Sequence, residues 1–296
     1  MKRARYIVIW SLGSWLLTLG SLSAQSYIGP SIGANFVQTV DFMYQTHARL
    51  GGGGEVGLTY EWKRRHLLIR TGLNYALQCP SLAVDSQWLA QDMLDTRGVP
   101  MTYRGLLTQR TDHMTMHQVT APLMVGGTWH GAYLLVGAKL CVSLANSAQI
   151  KAQLKTAGDY QGRYYEWFEN MPNHGYHDLE PVTSKHTLQL QRIDVRLAAE
   201  VGYTFRLNPY SGLELSPLLR IGLFAEYGLL NILSSDQTTP RTSADWTQYL
   251  QVNMTHIYAS EESNKAQAKI VTYGIRLTLL FPAFNGSKRT EKCNCL

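Results

Sequence analysis

Beyond its first 24 residues, the chain lacks any run of about 20 apolar residues, the length that a helix needs to cross a membrane. Its mean hydropathy is −0.16. Together these values exclude a helical membrane protein. They leave a membrane barrel open, because barrel strands alternate apolar and polar residues and average to near-neutral hydropathy.

The chain is also poor in cysteine, in excess charge and in nucleotide or hydrolase motifs. Cys79 and Cys141 could pair in an oxidising compartment, but the sequence does not decide it, and Cys293 and Cys295 lack the further His or Cys ligands of a zinc site. Without residues 1–24, 24 Lys+Arg face 21 Asp+Glu, a net charge of +3. We therefore expect no nucleic-acid partner and, in the absence of a Walker motif, no cofactor.

Residues 1–24 have the features of an export signal. Lys2, Arg3 and Arg5 precede an apolar run from Tyr6 to Leu19, and small residues follow up to Ala24. The pattern predicts cleavage before Gln25, with a retained segment as the alternative. The predicted organisation is a signal peptide (1–24), a barrel (25–281) and a polar tail (282–296).

The segment Ile270–Phe281 alternates strictly between apolar and other residues. Val271, Tyr273, Ile275, Leu277, Leu279 and Phe281 share one face, and Arg276 lies on the other. Successive side chains of a strand point to opposite faces, so this segment predicts a β-strand with one apolar side. That side faces either a soluble core or lipid.

The same alternation predicts eight strands in all. They are 27–37, 55–62, 67–77, 117–129, 133–142, 190–205, 213–229 and 270–281. Short connections (63–66, 130–132, 206–212) alternate with long ones (38–54, 78–116, 143–189, 230–269). In an up-and-down barrel this alternation places all short turns at one rim and all long loops at the other.

Aromatic residues favour a membrane barrel over a soluble sandwich. Trp62, Trp129, Phe205 and Phe281 end apolar faces at the short-turn side, and Phe36, Tyr75 and Tyr227 could form the opposite belt. Amphipathic rings prefer membrane interfaces. We predict an all-β, eight-stranded antiparallel transmembrane barrel in contact with lipid, with short periplasmic turns and long extracellular loops, in the bacterial outer membrane.

The opposite face of the predicted strands carries charges of both signs. Eight strands enclose space for side chains only, so these charges must pair inside the barrel. We expect a plug of salt bridges, with a proton path or small conduit as the alternative. The residues expected to point inward are Glu55, Glu61, Arg70, Lys139, Asp194, Arg196, Glu200, Glu214, Arg220, Glu226 and Arg276.

Several segments resemble the PorT-like outer-membrane β-barrel family of Bacteroidota. Val119-Thr-Ala-Pro-Leu-Met-Val-Gly126 is similar to its aliphatic-x-x-Pro-Leu-Leu strand, with Met124 in place of the second Leu, and Tyr133–Ala138 resembles the following Gly-rich strand. Ile193–Ala199 and Ala225–Ile232 resemble two further strands. The resemblance implies an outer-membrane location and an eight-stranded barrel. It implies little about activity, and because the founding member is tied to a secretion apparatus, a secretion accessory protein is an alternative.

Any specific function should lie in the loops, since lipid occupies the wall. Loop 143–189 holds a dense aromatic group: Tyr164, Tyr165, Trp167, Phe168 and Tyr176. Tyr and Trp dominate binding hot spots, so this group is a candidate surface for a ligand or another envelope protein, together with loops 78–116 and 230–269. The alternative is that the aromatics pack together as the loop's own core.

A barrel-embedded hydrolase is the enzymatic alternative. Asp112-His113, His117, Asp85, Asp92 and Asp95 lie near one rim, where a His beside a carboxylate could act as general base. No Gly-x-Ser-x-Gly or His-Glu-x-x-His pattern accompanies them. The sequence therefore favours a non-enzymatic structural, assembly or surface-binding component, with no catalytic, cofactor or metal residues predicted.

Overall fold

A computed structural model of the chain describes residues 25–41, 47–94, 99–160, 180–188, 190–207, 216–233, 243–245, 251–253 and 267–285. The strands in these ranges are β1 (Gln25–Asp41), β2 (His47–Arg64), β3 (Leu67–Leu94), β4 (Pro100–Trp129), β5 (Ala132–Asp159), β6 (Glu180–Thr187), β7 (Ile193–Arg206), β8 (Leu218–Gly228), β9 (Ser243–Asp245), β10 (Gln251–Asn253) and β11 (Ala268–Asn285). No helix long and apolar enough to cross a membrane occurs in the described ranges.

Eight of these strands close into a ring. The order around the barrel is β1-β2-β3-β4-β5-β7-β8-β11, and β11 pairs with β1 to complete it. Every neighbouring pair is antiparallel. The all-β, eight-stranded antiparallel fold predicted from the sequence is thus confirmed, and each predicted strand corresponds to one barrel strand. The predicted signal (1–24) and the end of the tail (286–296) lie outside the described residues.

The short connections lie at one end of the barrel. Arg65 and His66 join β2 to β3, and His130 and Gly131 join β4 to β5. His130 and Gly131 both have positive φ, 49° and 92°. Two consecutive residues in this conformation give a tight hairpin turn whose twist matches that of the flanking strands.

The outer wall of the barrel is an apolar belt. Ile32, Leu73, Leu123 and Leu223, on four different strands, are each 59–65% exposed. A soluble protein rarely exposes a contiguous apolar surface of this extent, whereas a barrel wall in contact with acyl chains requires it. We therefore treat the belt as the lipid-facing, membrane-spanning surface.

Aromatic residues stand on the outward face at both edges of the belt. At the short-turn end, Trp129, Phe205 and Phe281 are 44–55% exposed, as the sequence predicts. At the other end, Phe36 contacts Tyr273 with a ring-centroid distance of 5.8 Å. Both predicted aromatic groups therefore occupy edges of the apolar belt, where rings meet lipid headgroups.

The long connections lie at the opposite end from the short turns, but much of their length is strand. We call the end of the barrel away from the short turns the upper end. Predicted loop 78–116 is the upper part of β3 and β4, which pair from Gln78–Met116 to Leu94–Pro100. Predicted loop 143–189 contains the upper part of β5 and the added edge strand β6. We define the extension as these upper parts of β3, β4 and β5 together with β6. The long connections predicted as loops in these regions therefore include paired strands.

The sequence pattern did not predict the extension, because there the apolar side chains face the interior instead of the outside. Within the belt, Leu123 and Val125 of β4 point outward, whereas Met114 and Met116, higher on the same strand, are buried inside. In β5, a register shift opposite His117 and Gln118 changes the phase of the strand. Apart from Asn146, even-numbered residues therefore stay apolar along β5 up to Leu154 while their side changes from outward to inward.

Two apolar layers close the interior of the barrel. The upper plug consists of Val37, Leu82, Val84, Met114, Met116, Ala148, Leu188, Ile232, Leu233, Ala268 and Ile270. At the short-turn end, two smaller clusters form the lower plug: Leu68, Met124, Tyr133, Leu135 and Ala198, and Tyr27, Leu218 and Leu280. Buried polar and charged side chains lie between these plugs.

Candidate functional site

The candidate site is the polar lumen between the two plugs. Five cations, Arg70, Lys139, Arg196, Arg220 and Arg276, and five carboxylates, Glu55, Glu61, Asp194, Glu200 and Glu226, are buried there. Ten of the eleven inward charges predicted from the sequence are confirmed, and Glu214 lies outside the described residues. The formal charges of these ten groups cancel, which is the condition for burying so many ions.

The layer nearer the short turns is organised around Glu61 and Glu200. Arg70 Nε donates to Glu61 Oε1 over 2.7 Å, and a second nitrogen of Arg70 pairs with Glu200. Arg220 Nη1 lies 2.9 Å from Glu61 Oε2. These contacts connect β2, β3, β7 and β8 through the interior of the barrel.

Tyr133 completes this layer from β5. Its hydroxyl donates to Glu200 Oε1 over 2.7 Å, and the guanidinium carbons of Arg220 and Arg70 lie 4.8 and 5.4 Å from its ring centroid. The ring thus makes a cation–π contact with each of the two guanidinium groups. Gly222 makes room for this contact, because a Cβ there would lie 2.3 Å from the Tyr133 hydroxyl.

In the upper layer, Lys139 joins two carboxylates. Its Nζ lies 2.8 Å from Glu55 Oε2 and 2.6 Å from Glu226 Oε1. Arg276 pairs with both Glu55 and Glu200 and so connects the two layers. Removal of one member would therefore leave its partners without the charge that balances them.

Arg196 closes the top of the network. Its Nε lies 2.8 Å from Asp194 Oδ2, and its two Nη atoms donate to Gln78 Oε1 at 3.1 Å and to Gln118 Oε1 at 2.8 Å. These bonds link β7 to β3 and β4. Arg196 has no exposed surface.

Sequence reasoning missed Tyr133, Gln78 and Gln118 as members of the network. All three are uncharged, so the search for inward charges could not find them. The phase of each strand could have found them, because Tyr133 shares the parity of Lys139 on β5 and Gln78 that of Arg70 on β3.

The described residues of the hydrolase alternative do not form a dyad. Asp112 is buried and paired with Arg110 Nε at 3.0 Å, whereas His113 points outward and bonds the Ser81 hydroxyl over 2.9 Å. His117 lies against the Tyr75 hydroxyl at 2.6 Å. Asp85 is exposed, and its Oδ2 lies 3.6 Å from His47 Nε2. Asp92 accepts a hydrogen bond from the Thr102 hydroxyl, and Asp95 lies outside the described residues. Asp112 and His113 are neighbours in sequence on opposite faces.

The aromatic binding group Tyr164, Tyr165, Trp167, Phe168 and Tyr176 lies outside the described residues and stays a prediction. The strands on either side of it are described: β5 ends at Asp159 and β6 begins at Glu180. β6 pairs with β5 from Leu154–Glu180 to Ser147–Thr187. The two ends of the intervening segment are therefore held at the extension, on the side of the barrel opposite the short turns.

The two described cysteines are both free. Cys141 is buried in β5, whereas Cys79 is partly exposed in β3, with β4 between the two strands. The structure therefore holds no Cys79–Cys141 disulfide. Cys293 and Cys295 lie outside the described residues.

No protein-family model and no curated protein matches the chain. Among solved structures, the chain is similar to Ail, the attachment invasion locus protein of Yersinia pestis, at 11% identity and a TM-score of 0.33, covering 87% of this chain and 99% of that one. It is also similar to Neisserial surface protein A, NspA, at 9% identity and a TM-score of 0.34, covering 88% and 99%. At these identities no residue role is transferred from either protein.

Proposed function

We propose that the chain is a non-enzymatic barrel of the bacterial outer membrane that does not transport solutes and acts through its extension, as a binding or assembly component of the cell surface. The observation that carries the proposal is the sealed lumen. Arg196 and Glu61 have no exposed surface, and Arg70, Glu200 and Arg220 are each 1% exposed. With these side chains buried and paired across the lumen, the two ends and the wall of the barrel are the parts available for function.

The extension is the part of the chain best suited to a partner. It continues three barrel strands well beyond the apolar belt and adds β6 at the edge of β5. A pairing network of this length holds side chains on a rigid support, which lowers the entropy lost on binding. The long connections 78–116, 143–189 and 230–269 all arise from this end, and the aromatic group at 164–176 is the proposed contact surface.

Membership of the PorT-like family of Bacteroidota is the finer proposal. Its support is the set of resembling segments, which fall on β4, β5, β7 and β8. Pro122 of the Val119–Gly126 segment is buried on the inner face of β4. Proline has no backbone N–H to donate to a neighbouring strand, so it is an unusual residue inside a strand. A role as an accessory of a secretion apparatus follows from the same resemblance and is the second candidate.

The sealed lumen predicts that the inserted protein conducts no ions. Purified mature protein is reconstituted into planar bilayers and into vesicles, and insertion is verified by co-flotation of protein with lipid. We expect insertion without conductance steps, because the ion-pair network lies between two apolar plugs. A stable open conductance of the inserted wild-type protein would contradict the proposal and favour the conduit alternative.

The binding role predicts contacts that depend on the extension. A photo-crosslinking amino acid is placed at Thr183, exposed on β6, and, as the matched control, at Leu223 in the lipid-facing belt. In intact cells we expect one discrete protein adduct from position 183 that disappears when residues 161–179 are deleted. Lipid adducts alone at both positions, with the barrel correctly inserted, would argue against a protein partner at the extension.

A further inference from the structure

The short-turn end of the barrel carries charge of one sign. We define the cationic rim as Lys63, Arg64, Arg65 and Arg206, at the end of β2, in the following turn and at the end of β7. Arg64, Arg65 and Arg206 are exposed, and Lys63 is partly buried. The described residues of this end include one carboxylate, Glu61, which is fully buried and already paired with Arg70 and Arg220. Among the described residues, the surface of the rim therefore carries positive charge with no exposed carboxylate to balance it.

The cationic rim lies next to the edge of the apolar belt, and this position determines which part of the membrane it contacts. Lys63, Arg64 and Arg65 follow Trp62 directly, and Arg206 follows Phe205. Trp62 and Phe205 belong to the aromatic edge, and each strand residue advances about 3.3 Å. All four cations therefore lie within about 10 Å of the edge of the apolar belt, at the depth of lipid headgroups.

The cations also lie close enough to act on one another. The pKa of Lys63 is lowered, first by partial burial and then by the positive charges of Arg220 and Arg206. β2 and β7 stand on opposite sides of the ring, so the rim places cations on two sides of the barrel mouth. An anion near this mouth is attracted by several cations at once.

The turn between β2 and β3 places Arg65 at the short-turn end. Arg65 has φ of 53°, similar to the φ of 49° at His130 in the other described short turn. This conformation is that of a tight hairpin turn, so Arg65 is held next to Arg64 at the tip of the β2–β3 hairpin.

We propose that the cationic rim binds the phosphate headgroups of anionic phospholipids in the periplasmic leaflet. Arg64 and Arg65 bind the phosphate directly, while Lys63 and Arg206 add to the attractive potential. This inference rests on the proposed membrane location with the short turns on the periplasmic side. It adds a lipid selectivity that the fold alone does not require.

The test measures which lipid the protein retains. Wild type is reconstituted into nanodiscs of equimolar phosphatidylglycerol and phosphatidylcholine, and bound lipid is counted by native mass spectrometry. We expect enrichment of phosphatidylglycerol over the bulk ratio, since each cation near an anionic surface contributes about fivefold, or about 1 kcal/mol. In the Arg64→Gln/Arg65→Gln variant the enrichment falls at least about fivefold, and raising the salt concentration reduces it in wild type.

The matched control is Lys151→Gln/Lys185→Gln, which removes the same charge from two exposed lysines of the extension. It should retain the wild-type enrichment. Equal losses in both variants, or no enrichment in wild-type protein that has inserted, would overturn the lipid-binding rim and leave the proposed function standing. Failure of all variants to insert into nanodiscs would instead overturn the proposed function, and binding of acidic peptides without lipid enrichment would assign the rim to a protein partner.

Discussion

Replacement of Lys139 by methionine is expected to lower the free energy of unfolding by about 3–5 kcal/mol, the usual cost of removing one partner from a buried ion pair. Lys139 is 2% exposed and its ammonium group lies between Glu55 and Glu226. Methionine has a similar length but no charge. Glu226 then keeps only its more distant contacts, 3.7 Å to Arg196 and 3.8 Å to Arg276.

The measurement is urea unfolding of the refolded barrel in vesicles, followed by tryptophan fluorescence. Lys151→Met provides the control, because Lys151 is on the same strand but exposed in the extension. A surface substitution of this kind should change the unfolding free energy by no more than about 0.5 kcal/mol. Equal stability of the two variants would mean that the lumen is hydrated and that its ion pairs are screened by water.

Much of the barrel was predictable because two signals agree in each strand. In β7, Ile193, Leu197 and Val201 alternate with Asp194, Arg196 and Glu200, so that parity and charge mark the same inner face. A one-residue slip would place every one of these charges in the lipid. Register is thus strongly constrained by the sequence, and the identity of the inward charges follows from it.

The pairing of those charges was not predictable. Arg276 of β11 reaches Glu55 of β2 and Glu200 of β7, which are far apart in sequence. These partners meet because strand tilt and stagger bring particular levels of next-but-one strands together: β1 separates β11 from β2, and β8 separates β11 from β7. Alternation within a strand gives the face of a residue but not its level relative to residues of other strands.

The length of the strands beyond the belt could not be predicted for a different reason. The alternation predicts that the apolar side chains of each strand face outward. In the extension the apolar side chains of the same strands face inward, as Leu82 and Met114 do. Gln109 in β4, with φ of 52°, marks one of the irregularities that shift the strand phase there. Where phase and polarity both change, a period-two pattern no longer identifies the side that faces solvent.

Leu223→Arg is expected to have the second large effect, a loss of about 2–4 kcal/mol of folding free energy in a lipid bilayer. Leu223 is 59% exposed on β8, so a soluble barrel would accept arginine there with little cost. Near the bilayer midplane the guanidinium must instead be placed among acyl chains. Leu144, 60% exposed on β5 where the belt gives way to the extension, provides the matched position, with an expected loss of about 0–1 kcal/mol.

Comparison of these two variants by equilibrium refolding into vesicles tests most directly whether lipid contacts the apolar wall. The account predicts a large loss for Leu223→Arg and a small one for Leu144→Arg. Small, equal losses at both positions, in a protein that stays dissolved without detergent, would contradict it.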